Sequence, residues 1–402
     1  MPSPRSRSEA RAAASMVALL AAFAVVAPAA PVAAAPATCG PVVPDALAEE
    51  PWALNRLRPD LAWPLSTGAG VTVAVIDSGS SPDHATLTGK VRPGIDYVAP
   101  GGDGSCDENG HGTLIAGIIA ARETTSAGYR YYGVAPGAAI VPVRVLRDQQ
   151  RAFGGELSQQ VATAIRYSVD NARATVINLS LTTESSPELQ AAVRYAHDRG
   201  VVLVAAAGNG GGTGGAQFPA AYPEVIAVAG VDTGDKHVDS SSTGDYVDVS
   251  APGDRISGPS PRGGGYLYTT EGGTSFAAAY VTGVVALVRS YDKGLTPDQV
   301  ADRIAQTADH PAGQRNAQVG YGVVNPARAV GAVGVAAGTG RAGGTTAERL
   351  PAANAAAADP LGTAKDAAVW ITGGVALAVV LLLIAIPVIR NGRARRWRAG
   401  GT

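Results

Sequence analysis

Three residues of the chain have the side chains needed for nucleophilic catalysis, and each lies among small residues. Ser275 follows the glycine-containing turn 272–274 and begins an apolar, alanine-rich segment that runs to Tyr291. A serine hydroxyl is a weak nucleophile at neutral pH, so it needs an adjacent base, a group that orients the base, and donors for the oxyanion. His111 is the candidate base and Asp77 is the candidate orienting carboxylate.

Taken one at a time, these residues also fit ordinary structural roles. Asp77 follows the β-branched run 71–76 and fits a turn, while Gly-Thr-Ser turns are common. His111 lies between two glycines and fits a surface loop or a metal site. The three together, in the chain order Asp, His, Ser and each exposed by small neighbours, favour a catalytic constellation.

Four ordered segments of the chain resemble the subtilisin family of serine proteases, whose catalytic residues have this same order. The segments are Val75-Ile76-Asp77-Ser78-Gly79, Asn109-Gly110-His111-Gly112-Thr113, Val204-Ala205-Ala206-Ala207-Gly208-Asn209 and Gly273-Thr274-Ser275-Phe276-Ala277. The resemblance extends from about Trp63 to Val330. It implies that Asp77 orients and charge-stabilises the imidazole, that His111 acts as base and then as acid, and that Ser275 is the nucleophile.

The resemblance also implies an oxyanion hole and a cleft for an extended peptide. Asn209 and the main-chain N–H of Ser275 are expected to bind the oxyanion. The substrate backbone is expected to pair with both sides of the cleft in the manner of an added β-strand. The implied substrate-binding residues are Gly154, Gly155, Ser180, Leu181, Thr182, Ala206, Ala207 and Gly208. The small residues among them also fit close packing within a sheet.

Strand and helix patterns alternate along the segment that carries these residues. Buried strands are predicted at 71–76, 139–146, 175–179 and 201–206, shorter ones at 225–231 and 246–250, and helices at 114–121, 157–171, 187–199 and from Ser275 and Thr296 onward. The alternation predicts an α/β fold with a mostly parallel central sheet, and the resemblance implies the three-layer subtilisin-like arrangement. Since such sheets place their chemistry at the carboxyl ends of strands, Asp77 is expected there.

Some positions depart from the common subtilisin pattern. Phe276 stands where many relatives have methionine, and Ala279-Tyr280 stands where many have proline and histidine. These changes alter packing near the nucleophile and leave the triad residues in place. The acidic residues Asp103, Asp107 and Glu108 are predicted to lie on a loop at the rim of the site. No metal and no cofactor are expected.

Both ends of the chain carry apolar segments next to arginines. Residues 1–36 have the arginines, apolar run and small residues of a signal peptide, with an N-terminal membrane anchor as the alternative. Residues 367–389 predict a transmembrane helix, which needs ~20 apolar residues; a buried core helix is the alternative. The arginine-rich tail 390–402 is expected in the cytoplasm, which places the preceding chain outside the membrane.

The charge balance of the chain argues against nucleic-acid partners, and its two cysteines favour a disulfide. The 402 residues are 46% hydrophobic with a formal net charge of −1, so the chain has a sizeable core and lacks the basic balance of nucleic-acid-binding proteins. Its two cysteines, Cys39 and Cys106, are both on the expected outer side, where disulfides persist, and are predicted to pair. Two free thiols, or lipidation of Cys39, are the alternatives.

The order of segments suggests a narrower family. Residues 37–66 are predicted to be an extended arm, 67–330 a peptidase domain and 331–366 a flexible linker to the membrane helix. This organisation resembles that of the mycosins, membrane-anchored proteases of the actinobacterial type VII secretion system. The resemblance implies an extracytoplasmic serine endopeptidase of the cell membrane that uses an acyl-enzyme, cleaves secreted proteins and contacts secretion membrane components. A mainly structural role in that complex is the alternative.

Overall fold

The β-branched runs of the sequence form the strands of one parallel sheet. The computed structural model describes residues 39–147, 155–213, 215–270 and 272–332, which all lie in the first of two compact units, Met1–Arg341. The strands are β1 Thr72–Asp77, β2 Ile95–Asp96, β3 Thr124–Ser126, β4 Tyr129–Tyr131, β5 Ala139–Arg144, β6 Val176–Leu179, β7 Val202–Ala206, β8 Val225–Val231, β9 Val249–Pro252, β10 Ile256–Pro259 and β11 Tyr266–Thr269.

The helices connect these strands and cover the sheet. They are α1 Trp52–Leu57, α2 His111–Ala120, α3 Gly155–Asp170, α4 Pro187–Asp198, α5 Thr274–Tyr291, α6 Pro297–Thr307 and α7 Pro326–Gly331. Within the described residues, seven strands form the main sheet in the order β2-β5-β1-β6-β7-β8-β9, and each neighbouring pair is parallel. Two antiparallel hairpins, β3-β4 and β10-β11, lie outside it.

Alternate residues of β1 show why the sheet is covered on both faces. Val73 and Val75 belong to the hydrophobic cluster built with α2 and α5, whereas Ala74 and Ile76 belong to the cluster built with α3 and α4. Successive side chains of a strand point to opposite faces, so a run that is apolar at every position is buried on both. The predicted α/β fold with a mostly parallel central sheet is confirmed.

Most predicted elements are present with small shifts at their ends. The helix predicted from Thr296 is present and starts with a capping box, in which Thr296 and Gln299 are bonded reciprocally. The strand predicted at 246–250 is instead Val249–Pro252. The hairpin β10-β11 was not predicted, because its short strands carry no apolar run comparable with those of the main sheet.

The N-terminal arm is only partly extended, so that prediction is wrong in its second half. Residues Trp52–Leu57 form α1, and a short 3-10 helix follows at Pro59–Leu61. The first half pairs with the loop before β11: Val43 N–H donates to Arg262 O at 3.0 Å, and Tyr266 N–H donates to Asp45 O at 2.8 Å. Because Leu54 and Leu57 are buried in the main core, the arm is part of the folded unit.

Several predicted segments lie outside the described residues. These are the signal peptide 1–36, the membrane helix 367–389, the tail 390–402 and nearly all of the linker 331–366. Among the residues that the structure describes, none belongs to a helix long and apolar enough to cross a membrane.

The predicted disulfide between Cys39 and Cys106 is confirmed. It joins the start of the arm to the loop that precedes α2, across a sequence separation of 67 residues. A covalent link over that distance removes many conformations from the unfolded chain. The arm is therefore tied to the part of the domain that carries His111.

Replacing both cysteines with serine should lower the free energy of unfolding by roughly 4 kcal/mol, because the unfolded chain regains the entropy of the open loop. Denaturant unfolding of the full chain under oxidising conditions measures the change. The control is the same pair of proteins with a thiol reductant, which should destabilise the unaltered chain and leave the serine variant unchanged. Equal stability of the two proteins under oxidising conditions would contradict the expectation.

Candidate active site

The site begins where the carboxyl end of β1 meets the first turn of α2. Asp77 is the last residue of β1 and His111 is the first residue of α2. Their approach depends on Gly112, because a Cβ at that position would lie 1.9 Å from the carbonyl oxygen of Gly79. A side chain larger than hydrogen at Gly112 would push the helix from the strand and separate the histidine from the aspartate.

Asp77 and His111 form a buried hydrogen-bonded pair. His111 Nδ1 lies 2.7 Å from Asp77 Oδ1, and the two side chains are 7% and 0% exposed. Burial lowers the pKa of the His111 imidazole, but the charge and hydrogen bond of Asp77, together with the charge of Asp107, outweigh burial and raise that pKa above its ordinary value. The hydrogen bond at Nδ1 leaves Nε2 as the nitrogen available to a substrate or nucleophile.

The first turn of α2 is capped by three side chains that sequence inspection did not assign. Asn109 Oδ1 accepts from His111 N–H at 2.7 Å, and Ser78 Oγ accepts from Gly112 N–H at 3.0 Å. Asp107 Oδ2 accepts from Thr113 N–H at 2.7 Å. These bonds satisfy main-chain donors that a helix leaves free at its N-terminus. They orient the turn that carries His111.

The prediction that three acidic residues lie on a rim is wrong for Asp107. Asp103 is exposed, but Asp107 is completely buried. Glu108 pairs with the buried Arg144 at 2.7 Å. Asp107 precedes a helix, where side chains that accept hydrogen bonds are favoured. Its position in the sequence therefore indicates a capping role.

Ser275 lies in the first turn of α5, next to a second loop at a strand end. Its Oγ donates to the carbonyl oxygen of Ser180 at 3.1 Å, and Ser180 Oγ donates in return to the carbonyl oxygen of Ser275 at 2.9 Å. In the described part of the chain, no hydrogen bond joins Ser275 Oγ to His111. Such contacts are often long in a protein without substrate and tighten when substrate binds.

Asn209 is held so that its amide nitrogen is available to the cavity. Its Oδ1 accepts from Thr274 N–H at 3.0 Å and from Thr274 Oγ1 at 2.9 Å. Because the oxygen is used by Thr274, the Nδ2 donor is left for a ligand. Asn209 therefore presents a neutral donor near Ser275.

A single cavity of about 280 Å³ brings these groups together. His111, Ser275 and Asn209 all line it, and Asp77 lies behind His111. Phe276, one of the unusual residues, lines it too, with its ring centroid 5.6 Å from that of His111. Leu267, Tyr268 and Thr269 of β11 form another wall. Their alternating pattern fits a strand but contains nothing that would place them beside His111.

The predicted substrate-binding residues lie in different relations to this cavity. Ser180 contacts Ser275 directly, and Leu181 and Thr182 follow it in the chain. Gly208 N–H donates to Thr274 Oγ1 at 3.1 Å, which places the residues after β7 beside α5. Gly155 is exposed at the start of α3 and is not among the cavity-lining residues, and Gly154 lies outside the described residues.

Metal-binding residue types do not gather elsewhere in the part of the chain that is described. There, no group of three or more histidine, cysteine, aspartate or glutamate side chains could hold a metal ion. The described residues place a serine hydroxyl, an imidazole paired with a carboxylate and a neutral donor around one cavity. Such an arrangement can carry out nucleophilic attack followed by stabilisation of an oxyanion.

Comparison with known sequences links the chain to one protease family. The family model for subtilases matches residues 68–322. Thermitase from Thermoactinomyces vulgaris is 38% identical over 260 residues, covering 64% of this chain and 88% of thermitase. Mycosin-4 from Mycobacterium tuberculosis is 36% identical over 309 residues, covering 67% of each protein.

Solved structures similar to this chain include proteins of the ESX-1 and ESX-5 systems. The protease MycP1, described as an essential component of the type VII (ESX-1) secretion system, matches with a TM-score of 0.63 and 33% identity over 73% of this chain and 92% of MycP1. A chain from the periplasmic assembly of the ESX-5 inner membrane complex matches with a TM-score of 0.63 and 32% identity, over 74% of this chain and 88% of that one.

Replacing Asp77 with asparagine should lower the pKa of His111, because the substitution removes the charge that opposes burial. Nuclear magnetic resonance titration of the full chain with nitrogen-labelled histidine measures the change. Asp83→Asn is a matched control, since Asp83 is an exposed carboxylate outside this network. An unchanged His111 titration in Asp77→Asn would show that the carboxylate does not hold the imidazolium.

Proposed function

The chain belongs to the subtilase family and is a mycosin-like serine endopeptidase, and we propose that Asp77, His111 and Ser275 form its catalytic triad. The observation that supports this assignment is the cavity in which His111, backed by Asp77, lies beside Ser275 and Asn209.

In the proposed reaction, the enzyme forms and hydrolyses an acyl-enzyme. The Ser275 hydroxyl turns from the Ser180 carbonyl toward His111 Nε2, which takes its proton as Oγ attacks the substrate carbonyl carbon. The imidazolium then donates the proton to the leaving amine, and water repeats the sequence to release the acid. Asp77 keeps the imidazole in the required tautomer and stabilises its positive charge without taking the proton.

We assign the oxyanion hole to Asn209 Nδ2 and the main-chain N–H of Ser275. Both belong to rigid parts of the fold, because Thr274 holds the Asn209 amide and Ser275 begins a largely buried helix. Fixed donors stabilise the developing charge without reorganising during the reaction. The extended substrate is proposed to lie between residues 154–155 and 180–182, with its first side chain toward Ala206, Ala207 and Gly208.

Replacing Ser275 with alanine should abolish covalent labelling by a fluorophosphonate, because the only proposed nucleophile is removed. Asn209→Ala should still be labelled but should hydrolyse labelled casein roughly 100- to 1,000-fold more slowly, the loss known for such a donor in subtilisin. Gel fluorescence measures the labelling, and circular dichroism checks that both variants fold. Persistent labelling of Ser275→Ala would show that the nucleophile is wrongly assigned.

We further propose that the enzyme is anchored in the cell membrane and acts on substrates of a type VII secretion system. The apolar segment 367–389 and its arginine-rich flank support a membrane helix whose cytoplasmic end is the tail 390–402. The similarity to mycosin-4 and to a chain of the ESX-5 periplasmic assembly supports an extracytoplasmic peptidase domain and contacts with secretion membrane components. The linker 331–366 would separate the peptidase domain from the proposed membrane helix.

A second, structural function is favoured by the similarity to a chain within an assembled membrane complex. In a strain that lacks the endogenous gene, full-length Ser275→Ala should restore assembly of the complex but leave secreted substrates uncleaved. A chain that ends at residue 366 should restore neither, because it lacks the proposed anchor. Blue native gels and mass spectrometry of the secreted proteins measure the two outcomes.

Each result bears on a different part of the proposal. Cleaved substrates in the Ser275→Ala strain would contradict the proteolytic role in secretion. Full function of the chain that ends at 366 would contradict the membrane anchor. Failure of Ser275→Ala to restore the complex would contradict a structural function that is independent of catalysis.

A further inference from the structure

A second buried carboxylate, Asp107, lies next to the Asp77–His111 pair. Its Oδ1 accepts from Gly110 N–H and from Ser78 Oγ, both at 2.9 Å. Its Oδ2 accepts from Thr113 N–H at 2.7 Å and from Thr113 Oγ1 at 2.6 Å. A buried carboxylate with four donors is held in one orientation, and each of those bonds is strengthened by its charge.

One connection from Asp107 to the active site runs through the first turn of α2. Gly110 and Thr113, whose main-chain N–H groups donate to Asp107, flank His111 in that turn. The Asp107 carboxylate therefore sets the position of the segment from which His111 projects. Its negative charge also counteracts the positive end of the helix dipole, which disfavours an imidazolium at that place.

The other connection runs through Ser78 to Asp77. In the described structure, the hydrogen bonds of the Asp77 side chain all go to Oδ1, from Ser78 N–H at 2.7 Å, Ser78 Oγ at 3.1 Å and His111 Nδ1 at 2.7 Å, while Oδ2 has no partner. Apart from His111, Ser78 alone thus orients this carboxylate. Ser78 Oγ is in turn held by Asp107.

The Ser78 hydroxyl has a single proton for several acceptors. Its Oγ lies 2.9 Å from Asp107 Oδ1, 3.1 Å from Asp77 Oδ1 and 3.1 Å from Asn109 Oδ1. A hydroxyl donates one hydrogen bond, so Ser78 Oγ shares its proton between Asp107 and Asp77 and couples the orientations of the two carboxylates. The charge of Asp107 adds to that of Asp77 in favouring the imidazolium.

We infer that Asp107 is a positioning residue for the proposed proteolysis: through Ser78 and the first turn of α2, it holds Asp77 and His111 in register and strengthens their attraction. The inference rests on the proposed function. The charges that act on His111 are those of Asp77 at the end of β1 and Asp107 in the loop before α2. The neighbouring Glu108 is paired with Arg144, and the α5 residue against the imidazole is the uncharged Phe276.

The test compares Asp107→Asn and Ser78→Ala with the unaltered full chain, using a fluorophosphonate as the probe. Both variants should lower the maximal labelling rate roughly 10- to 100-fold, since small misplacements of reacting groups have effects of that size. The probe concentration at half-maximal rate should stay within about 2-fold, because neither residue lines the cavity. The acidic midpoint of the labelling rate should move to lower pH in Asp107→Asn, because the substitution removes a charge that favours the imidazolium.

Two further proteins separate positioning from folding. An asparagine at 107 cannot accept from all four donors and its amide group meets a main-chain N–H, so that variant is at risk of not folding. Ser78→Ala keeps the bonds from Gly110 and Thr113 to Asp107, and removes the Ser78 Oγ link to Asp77 together with the acceptor for Gly112 N–H. Asp103→Asn removes a charge from the exposed part of the same loop and should match the unaltered chain in rate and midpoint. Rates are expressed per folded molecule, measured by circular dichroism.

If Asp107→Asn folds, an unchanged maximal labelling rate and an unchanged midpoint would overturn the inference. If Asp107→Asn does not fold, an unchanged maximal labelling rate in Ser78→Ala would overturn it. Failure of the proposed function gives a different result, namely no labelling of the unaltered chain. In that event the His111 titration by nuclear magnetic resonance still decides the matter, because it needs no activity. A lower His111 pKa in the Asp107→Asn chain supports the inference, and an unchanged value overturns it.

Discussion

The hydrogen bond between Asp77 and His111 is the interaction on which the rest of the site depends. It joins the carboxyl end of a central strand to the N-terminus of a helix, and both side chains are almost completely buried. A buried charge is unfavourable unless it has a partner, so this pair is stable only where the surrounding backbone supplies the remaining hydrogen bonds. Much of the local structure serves that need, including the caps from Ser78, Asp107 and Asn109.

The central position of β1 explains why the pair can be held so closely. Strands β5 and β6 lie on either side of β1, and helices cover both faces of the sheet. Side chains at such a strand end have little freedom, which keeps Asp77 and His111 in contact. The arm adds a further restraint, because its disulfide ends at Cys106 next to the Asp107 loop and its strand-like pairing supports the loop that leads to β11.

This scaffold does not by itself determine which proteins are cleaved. Thermitase and mycosin-4 are similarly related to the chain, at 38% and 36% identity. A shared fold commonly serves several functions, and the differences lie in what surrounds the site. In this chain the surroundings of the cavity include Phe276 against the histidine and the β11 wall that the arm supports.

The sequence alone determined most of the central sheet and the order of its helices, because these depend on local pattern, and it singled out the candidate reactive residues. Apolar runs such as 71–76 form buried strands wherever they lie, and Asp77, His111 and Ser275 each stand in a short recognisable segment. The sequence did not reveal the burial of Asp107, the pairing of Glu108 with Arg144 or the β11 wall, since these depend on residues far apart in the chain. Asp103 and Asp107 look alike in the sequence, and only the docking of α2 against β1 exposes one and buries the other.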